Sequence, residues 1–151
     1  MKTQDTNLSI RPPRSPRVRL GGFVHLPRLI DKARAVSNDS AGDYVYGDGS
    51  LLDSEFFKLT GISSGEFLEE VSRGGGDWEV LQWVHENLSR PLAPFQIQSW
   101  SQWLETLPGL SLGARAWFAE YASNLTPARE DIGTLFEYLD IDDYVTFGGA
   151  A

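Results

Sequence analysis

The run Arg28-Leu29-Ile30-Asp31-Lys32-Ala33-Arg34 places four charged groups within seven residues. On a helix, Arg28 and Lys32 stand four apart and share a face. Asp31 lies three residues from both Arg28 and Arg34, so it can pair with either. Two chemistries follow from this pattern. In one, Arg28 and Lys32 grip a carboxylate or phosphate, with Tyr44 and Tyr46 lining the same pocket and a helix N-terminus adding its positive end. In the other, the charges form an ion-pair network that ties this helix to acids elsewhere, such as Asp131 or Asp140.

The remaining reactive groups are sparse. His25 precedes the charged helix and could act as a general base beside Asp31 or Tyr46. His85 follows Trp83 and Val84 on an amphipathic stretch and reads as a boundary residue. The two histidines have no metal-ligand spacing. Asp140, Asp142 and Asp143 supply hard oxygen ligands but lack the glycine and terminal glutamate of an EF-hand loop, so a solvated acidic helix end is expected and no metal is predicted. Ser63-Ser64-Gly65 is no nucleophile elbow, and Gly74-Gly75-Gly76 is a turn, not a phosphate loop. With no cysteine in the chain, disulfides, thiolate metal sites and cysteine nucleophiles are excluded. No cofactor is predicted.

The formal net charge of -8 is unevenly placed. Residues 1–34 hold eight of the 13 basic groups and two acids, a net of +6, and the rest nets −14. A basic segment of this kind either packs on the acidic body or serves as an anion-binding or nucleic-acid-binding arm. An acidic body repels nucleic acid, which favours packing.

The elements that must position these groups are short helices. Hydrophobic residues make up 41% of the chain, enough for one domain with its own core. Pro12, Pro13 and Pro16 keep residues 1–19 extended, as a flexible basic proline-rich arm. Gly21-Gly22 marks a turn, and Pro27 suits the first turn of a helix whose apolar face is Leu26, Leu29, Ile30, Ala33 and Val36. Tyr44-Val45-Tyr46 is a short β-prone segment. Helices are expected over Leu51 to Leu59 before Gly61, from the Ser63/Glu66 capping box to Ser72, after an Asp77 cap, over Pro94 to Leu107, from Ser111 to about Ala122, and from Thr126-Pro127 to about Leu139. The five tryptophans are read mainly as core. Residues 20–145 form a single mostly α domain, a compact irregular bundle of six or seven short helices, and residues 146–151 a flexible tail. No stretch has signal-peptide or membrane-helix character, so a cytoplasmic protein with no membrane association is expected.

Four segments carry a resemblance to a bacterial domain-of-unknown-function family, number 5069. They are Gly21 to Ala35, the Tyr44 to Asp53 region with its Leu52-Asp53, the pattern Gly61-Ile62, Phe67-Leu68, Val71, Asp77, Val80-Leu81 and Trp83, and Arg129 to Phe136 ending in Leu139-Asp140-Ile141-Asp142-Asp143. The resemblance spans most of residues 14–145. The family often has a cysteine before Leu-Asp and an asparagine after the middle-helix tryptophan. This chain has no cysteine, and Ser101 follows Trp100. That argues against an essential thiol there, and the resemblance implies no function.

Three function classes therefore stand. The first is a non-enzymatic helical module binding a partner protein or a small anionic ligand, with Arg28, Asp31, Lys32, Tyr44 and Tyr46 as the site. The second is an enzyme with an acid/base site near the first helix, using His25, Asp31, a tyrosine and Asp131 or Asp140. The third is nucleic-acid binding through the basic arm. The ligand, the partner and the oligomeric state are left open.

Overall fold

The structure, a computed structural model, describes residues 6–107, 116, 120, 129 and 131–151. Six α-helices are described end to end, with one two-stranded antiparallel sheet, so the fold is mostly α as the periodicity predicts. The strands β1 (Arg19–Leu20) and β2 (Phe23–Val24) form a hairpin with Arg19 opposite Val24. Its two-residue turn is Gly21-Gly22, at φ 58° and 85°, a conformation glycine adopts without the penalty a Cβ brings.

Helix α1 (Leu26–Ser37) follows and is the centre of the molecule. An amphipathic helix with one apolar face is expected from its spacing. Instead every residue from Leu26 to Ala35 is buried, the four charged ones included. Leu26, Leu29, Ile30 and Ala33 enter the apolar core, and the charged side is covered by other parts of the chain. Burying a charge is costly unless it is paired, so each of these groups needs a counter-charge from another element.

Those elements are α2 (Leu51–Thr60), α3 (Ser64–Ser72), α4 (Asp77–Glu86), α5 (Pro94–Glu105) and α6 (Leu135–Thr146). Local signals set most of their ends. Ser50 caps α2 by accepting from Asp53 N–H, and Gly61 at φ 73° closes it. Ser63 and Glu66 make the expected reciprocal capping box on α3. Phe23, Phe56, Phe57, Phe67 and Trp100 meet edge-to-face at ring separations of 5.6–6.4 Å to form the aromatic centre of the core. Ser101 pins the hairpin to α5: its hydroxyl donates to Gly22 O at 2.6 Å and accepts from Val24 N at 3.1 Å.

Several expectations are corrected. Tyr44-Val45-Tyr46 is not a strand, since the one β pairing among the described residues belongs to the Gly21-Gly22 hairpin. Asp77 does not cap α4. Gly76 stands at the cap, and the Asp77 carboxylate is drawn to Arg14 and Arg34. The last helix begins at Leu135, not near Thr126, because Thr134 accepts from Glu137 N–H and residues 131–134 are not helical. It runs on through the acids at 140–143, of which Asp140 is held by Arg17 and Asp143 by Arg28. Of the tryptophans, Trp100 is buried, while Trp78 and Trp103 are 64% and 43% exposed. Of the helix expected from Ser111, only Ala116 and Glu120 are described, both helical, and Trp117, Phe118, Tyr121 and the Thr126-Pro127 start lie outside the described residues.

From Thr6 onward the basic N-terminal segment lies against the body. Leu8 is buried, and Leu8 N–H donates to Ser40 O at 2.9 Å. Arg14, Arg17 and Arg19 pair with Asp31 and Asp77, Asp140 and Glu105 respectively. The charge asymmetry of the sequence thus resolves into contacts between its two halves.

Candidate functional site

The chain passes from β2 into α1 through His25, which has φ 68°, a left-handed value uncommon outside glycine. The conformation is held on both sides: His25 N–H donates to Pro16 O at 2.8 Å, and His25 O accepts from Leu29 N–H at 2.9 Å. The imidazole is turned inward and is 1% exposed. Its Nε2 lies 2.7 Å from Asp53 Oδ1. Lys32 Nζ donates to the same oxygen at 2.7 Å, and Gly47 N–H donates to Asp53 Oδ2 at 2.9 Å. A fully buried carboxylate thus gathers a histidine, a lysine and a backbone amide.

The electrostatics follow from this arrangement. Burial alone would raise the Asp53 carboxyl, but the His25 hydrogen bond and the Lys32 charge outweigh it and hold Asp53 below the usual carboxylate range. Burial, helped by the Lys32 and Arg28 charges and opposed by Asp53, pushes His25 down to about 4. At neutral pH His25 is therefore neutral, and Asp53 is an anion paired with Lys32. An ionised Asp53 accepts the Nε2 proton, which leaves Nδ1 with a bare lone pair. Nδ1 is buried and has no hydrogen-bond partner.

A second cluster adjoins the first. Arg28 reaches Asp143 through Nη1 at 2.7 Å and Nη2 at 3.3 Å. Tyr44 O–H donates to Asp143 Oδ1 at 2.7 Å, and its ring lies 5.6 Å from the Arg28 guanidinium. Burial, then the bond to anionic Asp143, raises the Tyr44 phenol above its ordinary value.

Between the clusters lies a cavity of about 410 Å³. One wall is His25, Arg28 and Lys32, spaced three and four along the start of α1. Another is Leu135, Tyr138, Leu139 and Asp142, one face of α6. The segment between Asp43 and Leu52 closes the third side. The volume suits a small molecule, and apolar walls with a few convergent polar groups are what such sites present.

Of the residues proposed from sequence, Arg28, Lys32 and Tyr44 meet at this cavity. Asp31 does not. It leaves α1 on another side and holds Arg14 through its backbone N–H at 2.9 Å and its guanidinium at 3.0 Å, with Asp77 and Arg34 completing that network. Tyr46 also points elsewhere, donating to Ser64 O at 2.6 Å and packing on Phe57. His25 finds neither Asp31 nor Tyr46 as its carboxylate or phenol partner, but Asp53. Asp131 pairs with Arg129, and Asp140 with Arg17 and Ser15, so neither joins the first helix. Sequence reasoning missed Asp53 and Asp143 as partners of α1. Both sit in the segments that carry the family resemblance, but nothing in their neighbours' types marks them as buried. Among the described residues no group of three potential metal ligands occurs, and no helix is long and apolar enough to cross a membrane.

A small helical domain whose central charged helix borders a ligand-sized cavity is the class that this fold and site define. The model of the family described as a domain of unknown function, DUF5069, matches residues 10–145, and the chain belongs to that family. No curated protein matches it.

Proposed function

We propose that this domain binds a small molecule in the cavity between α1, the Asp43–Leu52 segment and α6. The observation that carries the proposal is His25 Nδ1, a buried lone pair without a partner on a residue of the cavity wall. A buried polar atom left unpaired costs about 1–3 kcal/mol, and a ligand O–H or N–H would recover much of it. The left-handed backbone of His25 supports the same reading, because strained residues persist where their placement serves a site. The charges do not call for a free anion. Arg28 already faces Asp143, and Lys32 already faces Asp53, so an anion would have to compete with carboxylates in place. The binding role proposed here therefore needs a hydrogen-bond donor on the ligand and no negative charge.

The test is a thermal-shift screen of small molecules, run in parallel on the native chain and on Val45→Trp. Val45 lines the cavity but is 55% exposed, so the larger ring fills space without disturbing the core. Saturable stabilisation that Val45→Trp abolishes, with a shift of the His25 Nδ1 resonance in ¹⁵N NMR, is the expected result. Hits that Val45→Trp leaves untouched, and a His25 Nδ1 signal unmoved by any of them, would refute the reading.

A second reading, acid–base chemistry on the bound molecule, rests on the same dyad. A neutral imidazole oriented by a buried carboxylate can take a proton from a ligand hydroxyl at Nδ1. It predicts turnover of the bound molecule that His25→Asn removes. Turnover that survives His25→Asn would dismiss it.

A further inference from the structure

Two carboxylates at the cavity, the exposed Asp43 and the half-buried Asp142, are held in no ion pair. Asp43 and Asp142 both line it, and neither has a side-chain hydrogen-bond or ion-pair partner among the described residues. The neighbouring cations are already committed, Arg28 to Asp143 and Lys32 to Asp53. Asp142 is half-buried, and that burial together with the adjacent Asp143 charge outweighs the pull of Arg28 and raises its carboxyl above the usual value. An ionised Asp142 thus sits where water screens it poorly and a like charge stands next to it. A cation placed there would relieve both penalties.

We propose that the molecule bound in this cavity is a protonated amine with an apolar body, its ammonium held by the carboxylates of Asp142 and Asp43, its body against Leu51, Leu135 and Leu139, and a further N–H or O–H completing His25 Nδ1. This inference rests on the small-molecule reading above and names the ligand class for it. The unpartnered imidazole nitrogen is independent of the two acids, and it requires a donor, which an amine with a second polar hydrogen supplies. The apolar walls require a body that an inorganic cation lacks.

The experiment uses three matched probes of one shape, each with a phenol O–H as the second donor: 2-(4-hydroxyphenyl)ethylammonium, 2-(4-hydroxyphenyl)ethanol and 4-hydroxyphenylacetate. Each is titrated into the full chain by NMR at low and at physiological salt, and into Asp142→Asn. That variant is isosteric and loses no side-chain partner among the described residues, and circular dichroism checks its fold. The ammonium probe should bind about fivefold more tightly than the alcohol, as one partly exposed ion pair provides, with the carboxylate probe weakest. Raising the salt should narrow the gap, and Asp142→Asn should bring ammonium and alcohol to within about twofold. Equal binding of ammonium and alcohol, tighter binding of the carboxylate, or a preference unchanged in Asp142→Asn would overturn the amine assignment. In those cases the small-molecule reading stands as long as the alcohol binds saturably. Saturable binding by none of the three probes would overturn the amine assignment alone, since the small-molecule reading is decided by the screen against Val45→Trp.

Discussion

Lowering the pH from 7.5 to 5.0 should destabilise this domain through a single imidazole. His25 has an ordinary value of 6.5, and burial brings it to about 4 in the folded chain. Between those values the unfolded chain binds a proton that the folded chain refuses. Stability is therefore intact above about pH 6.5 and falls as the pH drops toward 4. At pH 5.0 the loss works out at about 2 kcal/mol, rising to roughly 3 kcal/mol once His25 is protonated in both states. Asp53 acts in a different window. Its value is lowered, so its contribution is present above the ordinary carboxylate range and is lost only as the pH falls below about 4. Asp142 acts in the opposite sense, since its value is raised and its protonation on acidification favours the folded chain, but it is common to all the variants. The comparison with and without His25 at pH 5.0 therefore isolates the histidine. The assay is urea unfolding followed by tryptophan fluorescence at the two pH values, for the native chain, for His85→Gln and for His85→Gln/His25→Asn. Asparagine is the replacement of choice because it tolerates the positive φ of position 25. The first two proteins should lose about 2 kcal/mol on acidification, and the double variant less than about 0.5 kcal/mol. A native chain whose stability is flat over this range, or a loss of equal size without His25, would refute the account of a neutral buried imidazole.

Two further outcomes follow from the contacts around α1. Arg14→Lys should cost about 1–2 kcal/mol and speed amide exchange over residues 8–19, because one ammonium cannot replace a guanidinium that holds Asp31 and Asp77 together; unchanged exchange there would show that the N-terminal segment is held by its apolar contacts alone. Ser101→Ala should cost about 1–3 kcal/mol in urea unfolding, because it strands Val24 N–H in a buried setting; a loss below about 0.5 kcal/mol would mean that another group satisfies the hairpin.

The central helix links these expectations. Its charged side is distributed among four partners: Arg28 to α6, Lys32 to α2, Asp31 to the N-terminal segment and Arg34 to α4. Each pair spans elements distant in the chain, with Arg28 and Asp143 115 residues apart. Replacing such pairs with apolar residues often leaves stability unchanged, so their value lies in specifying which side of α1 faces which neighbour. Two of the four border the cavity, so the same groups that orient the helix also shape the site.

Local chemistry was legible in the sequence because it acts within one helical turn. The Ser63/Glu66 capping box, the proline starts at Pro27 and Pro94, the Gly61 stop and the Gly21-Gly22 turn all depend on groups a few residues apart, and all stand where their spacing places them. The mostly α class followed from the same signals summed along the chain, and the family resemblance followed from the order of charged and apolar residues. Composition showed that the basic start and the acidic remainder carry opposite charge. It could not show which arginine meets which aspartate. Thr134 caps α6 locally, but the helix continues through its acids because Arg17 and Arg28, from distant parts of the chain, hold Asp140 and Asp143. Asp77 is a good cap by type, yet two guanidiniums compete for it. Tyr44 and Tyr46, two residues apart, separate because one meets Asp143 and the other Ser64. His25 gives no sign in its neighbours of the carboxylate that orients it. Those outcomes belong to the tertiary structure, because a buried charge takes its partner from whatever element folds over it, and that element is chosen by the packing of the whole core.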